Sequence, residues 1–559
     1  MDFDLVIRGG TIVDGTGAPR RRGDVGIREG RVAALGDVRG SSGEVLEADG
    51  HVVAPGFVDI HTHYDAQILW DRMLTISPWH GVTTVVMGNC GFGIAPTRAD
   101  HRDLILRTLE NVEGMSLEAL RAGCGETWPF ETFPEFLDAI ERRGAAINVG
   151  ALIGHTPVRL YVMGEEATER EASDDEVARM RAIVGEALRA GALGFATSKA
   201  PTHVGYEGRP VPSRAASLSE IEALAGCLSE TGHGIMQATA GRGLFTDEFA
   251  AISRQTHRTV SWTALLAGML GPDGHRHVLE HTAELQRHGV AVVPQVSCRP
   301  LMIEFQFKAP FPFESLEIFR QVSAADRAGK ARIYADPAFR AAFREKGEHR
   351  VLGGRWEDTV ISECPSDPGL NEQNLAAVAA ERGLAPSDLA LDLALATDLE
   401  ARFRMAVANT DEGIVAELLN HPATVLGLSD AGAHASQLCD ANFATHLLGH
   451  WTREKGVLEL EQAVRMLTSR PAEVFGIAGR GRLAIGAAAD VTVFDPESVG
   501  TSPLRRVHDF PAGADRLIAD ARGIRAVVVN GAVLREDGFD RLDPEGPLPG
   551  HVLRGGATS

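Results

Sequence analysis

The spacing of hydrophobic and polar positions changes character twice along the chain. Across residues 1–55, short apolar runs alternate with polar positions and glycine, as in Leu5-Val6-Ile7, Gly9-Gly10, Thr11-Ile12-Val13, Val25-Gly26-Ile27 and Val32-Ala33-Ala34-Leu35. Period-2 runs with turn residues between them predict antiparallel strands. The same texture returns in Asp490-Val491-Thr492-Val493-Phe494 and Ile524-Arg525-Ala526-Val527-Val528-Val529-Asn530-Gly531, ahead of a polar, Gly/Pro-rich tail. The two ends, 1–55 and 480–545, are therefore expected to build one small β-sandwich, with 546–559 as a tail.

Between them the pattern becomes one of compact apolar runs separated by helix-period segments, which predicts βα units and a parallel sheet. The runs are Phe57–Ile60, Thr84–Met87, Ile147–Leu152, Leu193–Ala196, Gly234–Gln237, Thr259–Trp262, Val290–Gln295 and Thr424–Leu428. Eight of them predict an α/β fold, a closed (β/α)8 TIM-like barrel over residues 56–479. The stretch from the seventh run to the eighth, 299–416, is too long for a loop. With amphipathic segments such as Leu375–Arg382 it reads as a helical insertion. Neither a fixed-period repeat nor a low-complexity tract is present.

A chain of 559 residues can hold a large catalytic domain beside smaller ones. Its 55 basic and 76 acidic residues give a formal charge of −21, which repels phosphate backbones and anionic lipid, so nucleic acid and membrane are not expected partners. The start, MDFDLVIRGGTIVDG, lacks a basic segment followed by an apolar one, and no later stretch reaches the roughly 18 apolar residues of a membrane span. The expectation is a cytoplasmic enzyme with a small-molecule substrate, compatible with a homo-oligomer. Six scattered cysteines without a C-x-x-C pair read as reduced thiols.

The candidate chemistry sits where these runs end. Asp59-Ile60-His61-Thr62-His63 closes the first run, and its i, i+2 spacing turns His61 and His63 to one side. Two imidazoles at the mouth of a barrel suit a divalent cation, because active sites of this fold lie at the C-terminal ends of the strands. Taken alone, an H-x-H pair is as often a satisfied pair of histidines. Asp430, just past the eighth run, can bind a metal or accept a proton, and equally can cap the next helix. Cys90, just past the second, offers a thiolate, although a lone cysteine is more often a small buried hydrophobe.

Several of these segments resemble the amidohydrolase superfamily and, within it, the N-acyl-D-amino-acid deacylases. The pieces that carry the resemblance are Ala54-Pro55-Gly56-Phe57-Val58-Asp59-Ile60-His61-Thr62-His63, Gly81–Gly91 with its Asn89-Cys90 element, Gly154-His155, Leu428-Ser429-Asp430 and Gly481–Val491. They span nearly the whole chain. The resemblance implies hydrolysis of a C–N bond in a small amide, with zinc held by His61, His63, Cys90 and Asp430. It also implies that Asp430 takes the proton from attacking water and returns it to the leaving nitrogen, while His155 helps to hold the oxyanion.

The family further draws one histidine from the fifth strand and one from the sixth. Here those strands read Gln237-Ala238-Thr239 and Ser261-Trp262-Thr263. The departure implies one zinc per chain rather than two; a harsher reading is a site that binds metal poorly, with Gln237 or Trp262 contacting substrate instead. His203 and His434 stand as loop histidines that could replace the missing pair. Lys199, at a position where related barrels carry a carboxylated lysine, reads as a substrate contact or a structural residue. Arg299 and Arg404 could clamp a substrate carboxylate through their planar forks. Hydrolysis of a cyclic amide or a carbamate stays open, as does a diverged barrel with a weakened metal site and a non-hydrolytic or binding role.

Overall fold

A computed structural model of the chain describes residues 1–205, 209–271, 273–308, 310–313, 316–347 and 355–556. Parts of the predicted insertion (309, 314–315, 348–354) and of the tail (557–559) lie outside the described residues. The chain divides into two compact units. The first comprises 1–265, 276–298 and 418–559; the second comprises 266–275 and 299–417.

The first unit contains the parallel sheet. Its eight strands are Phe57–Asp59, Val82–Met87, Asn148–Gly154, Gly194–Ser198, Ile235–Thr239, Val260–Thr263, Val292–Val296 and Val425–Leu426, hydrogen-bonded in chain order. Each answers to one predicted run. Neighbours are parallel and in register, with Gln237 beside both Ala196 and Ser261. The curl closes where the Thr62–Ala431 bridge joins the ends of strands 1 and 8, reinforced by the His63 N–H donating to Ala431 O at 2.7 Å. An apolar cluster draws on seven strands through Val58, Ile60, Val86, Leu152, Ala196, Ile235, Val293 and Val425. Strand 8 is shorter than its run predicts because Leu428 takes a left-handed φ of 64°, which ends the extended ladder.

Both termini contribute to a nine-stranded sheet that includes Phe3–Ile12, Arg21–Arg28, Val52–Pro55, Val491–Phe494, Ile524–Val529 and Ala532–Glu536. Val493 lies opposite Val53, so the late strand pairs directly with an early one. Leu5, Ile7, Val25, Ile27, Val53, Val491, Val493, Ala526 and Val528 share its core. The tail is strapped to the barrel: Gly550 N–H donates to Ala145 O, Leu553 N–H to Val149 O and Gly555 N–H to Gly191 O, all at 2.8 Å.

The second unit corrects the expectation of a purely helical insertion. Besides helices such as Arg327–Ala335, Leu375–Glu381 and Pro386–Ala396, it contains a four-stranded antiparallel sheet. Leu301–Gln306 pairs with Arg402–Ala408, placing Ile303 opposite Met405 and Phe305 opposite Phe403. These period-2 apolar pairs prevail over the helical spacing of their surroundings because they face an aromatic core containing Phe307, Phe313, Phe319, Phe343 and Trp356. The Phe305 and Phe403 rings stack at 5.6 Å.

Candidate metal centre

The chain leaves strands 2 and 8 on distorted turns, which carry Cys90 and Asp430. After strand 2, Gly88 (φ 83°) has no room for a side chain, since a Cβ would stand 2.2 Å from Leu152 O. Cys90 follows with a φ of 56°. After strand 8, Asp430 (φ 47°) and His434 (φ 47°) flank Gly432, where a Cβ would meet His63 O at 2.6 Å. Non-glycine residues in the left-handed region cost about 1–3 kcal/mol each and persist where the surroundings over-determine them. The strain here concentrates on the loops that aim Cys90 and Asp430.

His61, His63 and Cys90 form a buried group whose ligand atoms all lie within 4.8 Å of one another. His61 Nε2 is 3.4 Å from Cys90 Sγ and 3.3 Å from Asp430 Oδ1, and His63 Nε2 is 3.6 Å from that same oxygen. The four residues predicted from the sequence therefore meet at one point. Their back sides are held as well. His61 Nδ1 lies 2.8 Å from Gln295 Oε1, whose amide nitrogen donates to Ser261 Oγ at 3.1 Å. His63 Nδ1 lies 3.0 Å from Glu113 Oε1. Ser429 Oγ donates to Asp59 Oδ2 at 2.6 Å and to His61 O at 3.0 Å, fixing the strand-8 loop to strand 1.

Electrostatics follow from this packing. Burial alone would raise the Asp430 carboxyl, but the facing His63 and His61 imidazoles hold it well below the usual carboxylate range. Burial likewise opposes ionisation of Cys90, yet the two imidazoles bring its thiol down to about 7. Burial disfavours charge on His61 and His63 too; Cys90 and Asp430 push the first up, and Glu113 with Asp430 pushes the second well up.

The remaining predicted residues divide. Gln237 belongs to the centre: its Oε1 accepts the Cys90 backbone N–H at 2.7 Å, while its Nε2 faces Thr263 Oγ1 at 3.4 Å. His203 borders it, its ring tilted against Phe92 with centroids 5.0 Å apart and Nδ1 2.6 Å from Ser198 Oγ. Burial, together with the charges of His63 and His434, depresses His203 to about 3, so it is neutral. His434 is tied by its backbone N–H to Glu113 O, and its ring lies over Gly114.

His155 is not brought to the cluster as an oxyanion donor. Its Nδ1 and Nε2 are spent on Thr197 Oγ1 and Glu220 Oε1, each at 2.8 Å, in a buried network with Arg159. Lys199 Nζ donates to the carbonyls of Arg214 and Ala216, a structural clip. Trp262 is buried and packs against Phe245 and Phe249, at 5.3 and 5.9 Å. Arg299 and Arg404 belong to the second unit, where buried Arg404 donates to Glu372 at 2.6 Å.

Sequence reasoning missed Glu113 and Gln295. A glutamine inside the apolar run Val290–Gln295 was a readable signal; Glu113, last residue of the helix Arg102–Glu113, gave none. It also missed a cavity bordered by Tyr64, Asp430, Gly432, Phe510 and Arg516, which gives Asp430 an opening.

The amidohydrolase family model matches residues 44–535, and the chain belongs to that family. D-aminoacylase of Alcaligenes xylosoxydans xylosoxydans is 32% identical over 543 residues, covering 96% of each chain. The solved structure of a D-aminoacylase with a binuclear metal center, described by one-metal activation and second-metal attenuation, aligns with a TM-score of 0.67 at 28% identity, over 99% of this chain and all of that one. N-acyl-D-glutamate deacylase from Bordetella bronchiseptica, solved with zinc and a phosphonate mimic of the tetrahedral intermediate, aligns at 0.66 and 28%, with the same coverage.

Proposed function

We propose that this chain is a zinc-dependent hydrolase of the amide bond of N-acyl-D-amino acids, or of closely related small acyl-amines. The observation that carries the reading is the meeting of His61 Nε2, His63 Nε2, Cys90 Sγ and Asp430 Oδ1 at the barrel mouth. The donor set fits zinc: two buried imidazoles, a buried thiol already inclined to ionise and a partly exposed carboxylate, all preorganised. His61, His63 and Cys90 would hold the ion, with Asp430 at its edge. When bound, zinc supplies a Lewis acid for the acyl carbonyl and lowers the pKa of water towards about 7.

The chain's own residues supply the proton traffic. Asp430, held ionised by the two histidines, takes a proton at Oδ1 as water attacks and gives it to the departing nitrogen. The cavity beside it is bordered by Tyr64, Phe510 and Arg516. Similarity to the two deacylases supports the substrate class, and Gln237 in place of a strand-5 histidine supports one zinc rather than two.

The test is a panel of N-acyl-D-amino acids, their L enantiomers and a cyclic amide, assayed against wild type and His61→Ala with zinc measured on the same samples. Turnover of the D series that disappears with the metal is the expected result. Turnover confined to the cyclic amide would reassign the substrate, and unchanged activity in a zinc-free variant would end the metal reading.

A further inference from the structure

Each histidine of the cluster has two ring nitrogens, and only one can face a metal. Which one does so is decided by what holds the other. His61 points Nε2 at Cys90 and Asp430, while its Nδ1 meets Gln295 Oε1 at 2.8 Å. Because the Gln295 amide nitrogen donates to Ser261, the atom presented to His61 is the carbonyl, so His61 Nδ1 must be the N–H donor. His63 points Nε2 at Asp430, and its Nδ1 faces Glu113 Oε1 at 3.0 Å. Apart from this 3.0 Å contact, neither atom has a hydrogen-bond partner among the described residues, and both residues are buried. A buried, ionisable pair left facing itself in this way is held for one another.

We propose that Glu113 and Gln295 are the positioning residues of the metal centre, each locking one histidine so that both present Nε2 to the same ion. The inference rests on the metal reading above and adds residues from outside the strand ends that carry the ligands. Outer partners of this kind set ring orientation and ligand basicity, and their loss typically costs about 10–100-fold in metal affinity. The two partners are unequal. An amide behind His61 only orients it, whereas a carboxylate behind His63 also makes its imidazole a stronger donor. Glu113 has a second task, since its backbone carbonyl accepts the His434 N–H and so ties the loop that carries Asp430. One residue at the end of the helix Arg102–Glu113 thus braces two of the walls of the centre.

The experiment is a zinc titration of the full-length, chelator-stripped protein against a chromophoric competitor, for wild type, His61→Ala, Glu113→Ala, Glu113→Gln, Gln295→Leu and Gln295→Glu. The expected result is at least a tenfold weaker zinc Kd for Glu113→Ala and Gln295→Leu. Glu113→Gln and Gln295→Glu, which keep an acceptor at the same place, recover part of the loss. The Ala and Leu variants binding zinc with less than a tenfold loss, while His61→Ala loses it, would overturn the positioning roles and leave the metal reading standing. Undiminished zinc binding by His61→Ala would instead remove the metal reading itself. If Glu113→Ala does not fold, Glu113→Gln decides through nitrogen NMR of the His63 ring in the zinc-loaded protein. A shifted Nδ1–H resonance supports the pairing, and an unchanged one overturns it.

Discussion

Asp430 Oδ1 is shared between two histidines, 3.3 Å from His61 Nε2 and 3.6 Å from His63 Nε2. A single oxygen at that position can both touch a bound ion and exchange a proton with substrate. Replacing the carboxylate by an amide keeps the shape and removes the base. Asp430→Asn is expected to lower kcat by about 10²–10⁴-fold, the usual contribution of a positioned general base. Steady-state kinetics on zinc-saturated protein read the effect, and a kcat within threefold of wild type would sink the proton role.

Cys90 places a thiol near its ionisation point, at about 7, against His61 Nε2. We expect the metal-free enzyme to be inactive, to regain activity on addition of one equivalent of zinc, and to lose most of its zinc affinity in Cys90→Ser. Metal analysis alongside activity recovery checks this. Saturation only at two equivalents would show that a second site exists despite Gln237 and Ser261.

Glu220 lies between buried His155 and Arg159 and accepts from both. Burial pushes its carboxyl up, but His155 and Arg159 together bring it down to about 2 from an ordinary 4.5. Its folded pKa is below its unfolded one, so the stabilisation is full above about 4.5 and fades as pH falls towards about 2. Glu220→Gln leaves the Arg159 charge buried without its partner, at a cost of about 3–5 kcal/mol. Denaturant unfolding at neutral pH should show that loss, and the variant's stability should vary less with pH below about 4.5. An unfolding midpoint equal to wild type at neutral pH contradicts the assignment.

The last described segment fastens itself to strand 3 at Val149 and to Ala145 and Gly191 just before strands 3 and 4, through Gly550, His551, Leu553 and Gly555, and Arg554 reaches Asp138 and Glu141 at 2.6 Å. Ending the chain at Gly546 removes four backbone hydrogen bonds at about 0.5–1.5 kcal/mol each. A stability loss of about 2–6 kcal/mol is expected, with zinc affinity unchanged. Thermal melts and the zinc titration separate the two, and an unaltered melting temperature would mean the strap is decorative.

Much of this protein could be read from residue order alone. The eight apolar runs mark eight strands because a strand buried on both faces must be apolar along its length. The H-x-H pair, Cys90 and Asp430 were legible because ligands of a (β/α)8 barrel follow directly on strand ends, where sequence position and spatial position coincide. The pairing of Val53 with Val493 was legible as matching texture at the two ends.

Other features had no local signature. His155 follows a strand just as His61 does, yet its ring is turned into the Glu220–Arg159 network, a choice made by a partner 65 residues away. The period-2 sheet of the second unit was hidden because Phe305 and Phe403, which pair, lie 98 positions apart in the sequence. Glu113 had nothing to distinguish it from any helix-terminal glutamate. Sequence determined which groups could bind a metal, since side-chain chemistry and strand period are local properties. Only the tertiary structure decided which nitrogen of each histidine faces the centre and which residues hold it there, because a ring's orientation is set by contacts made across the barrel.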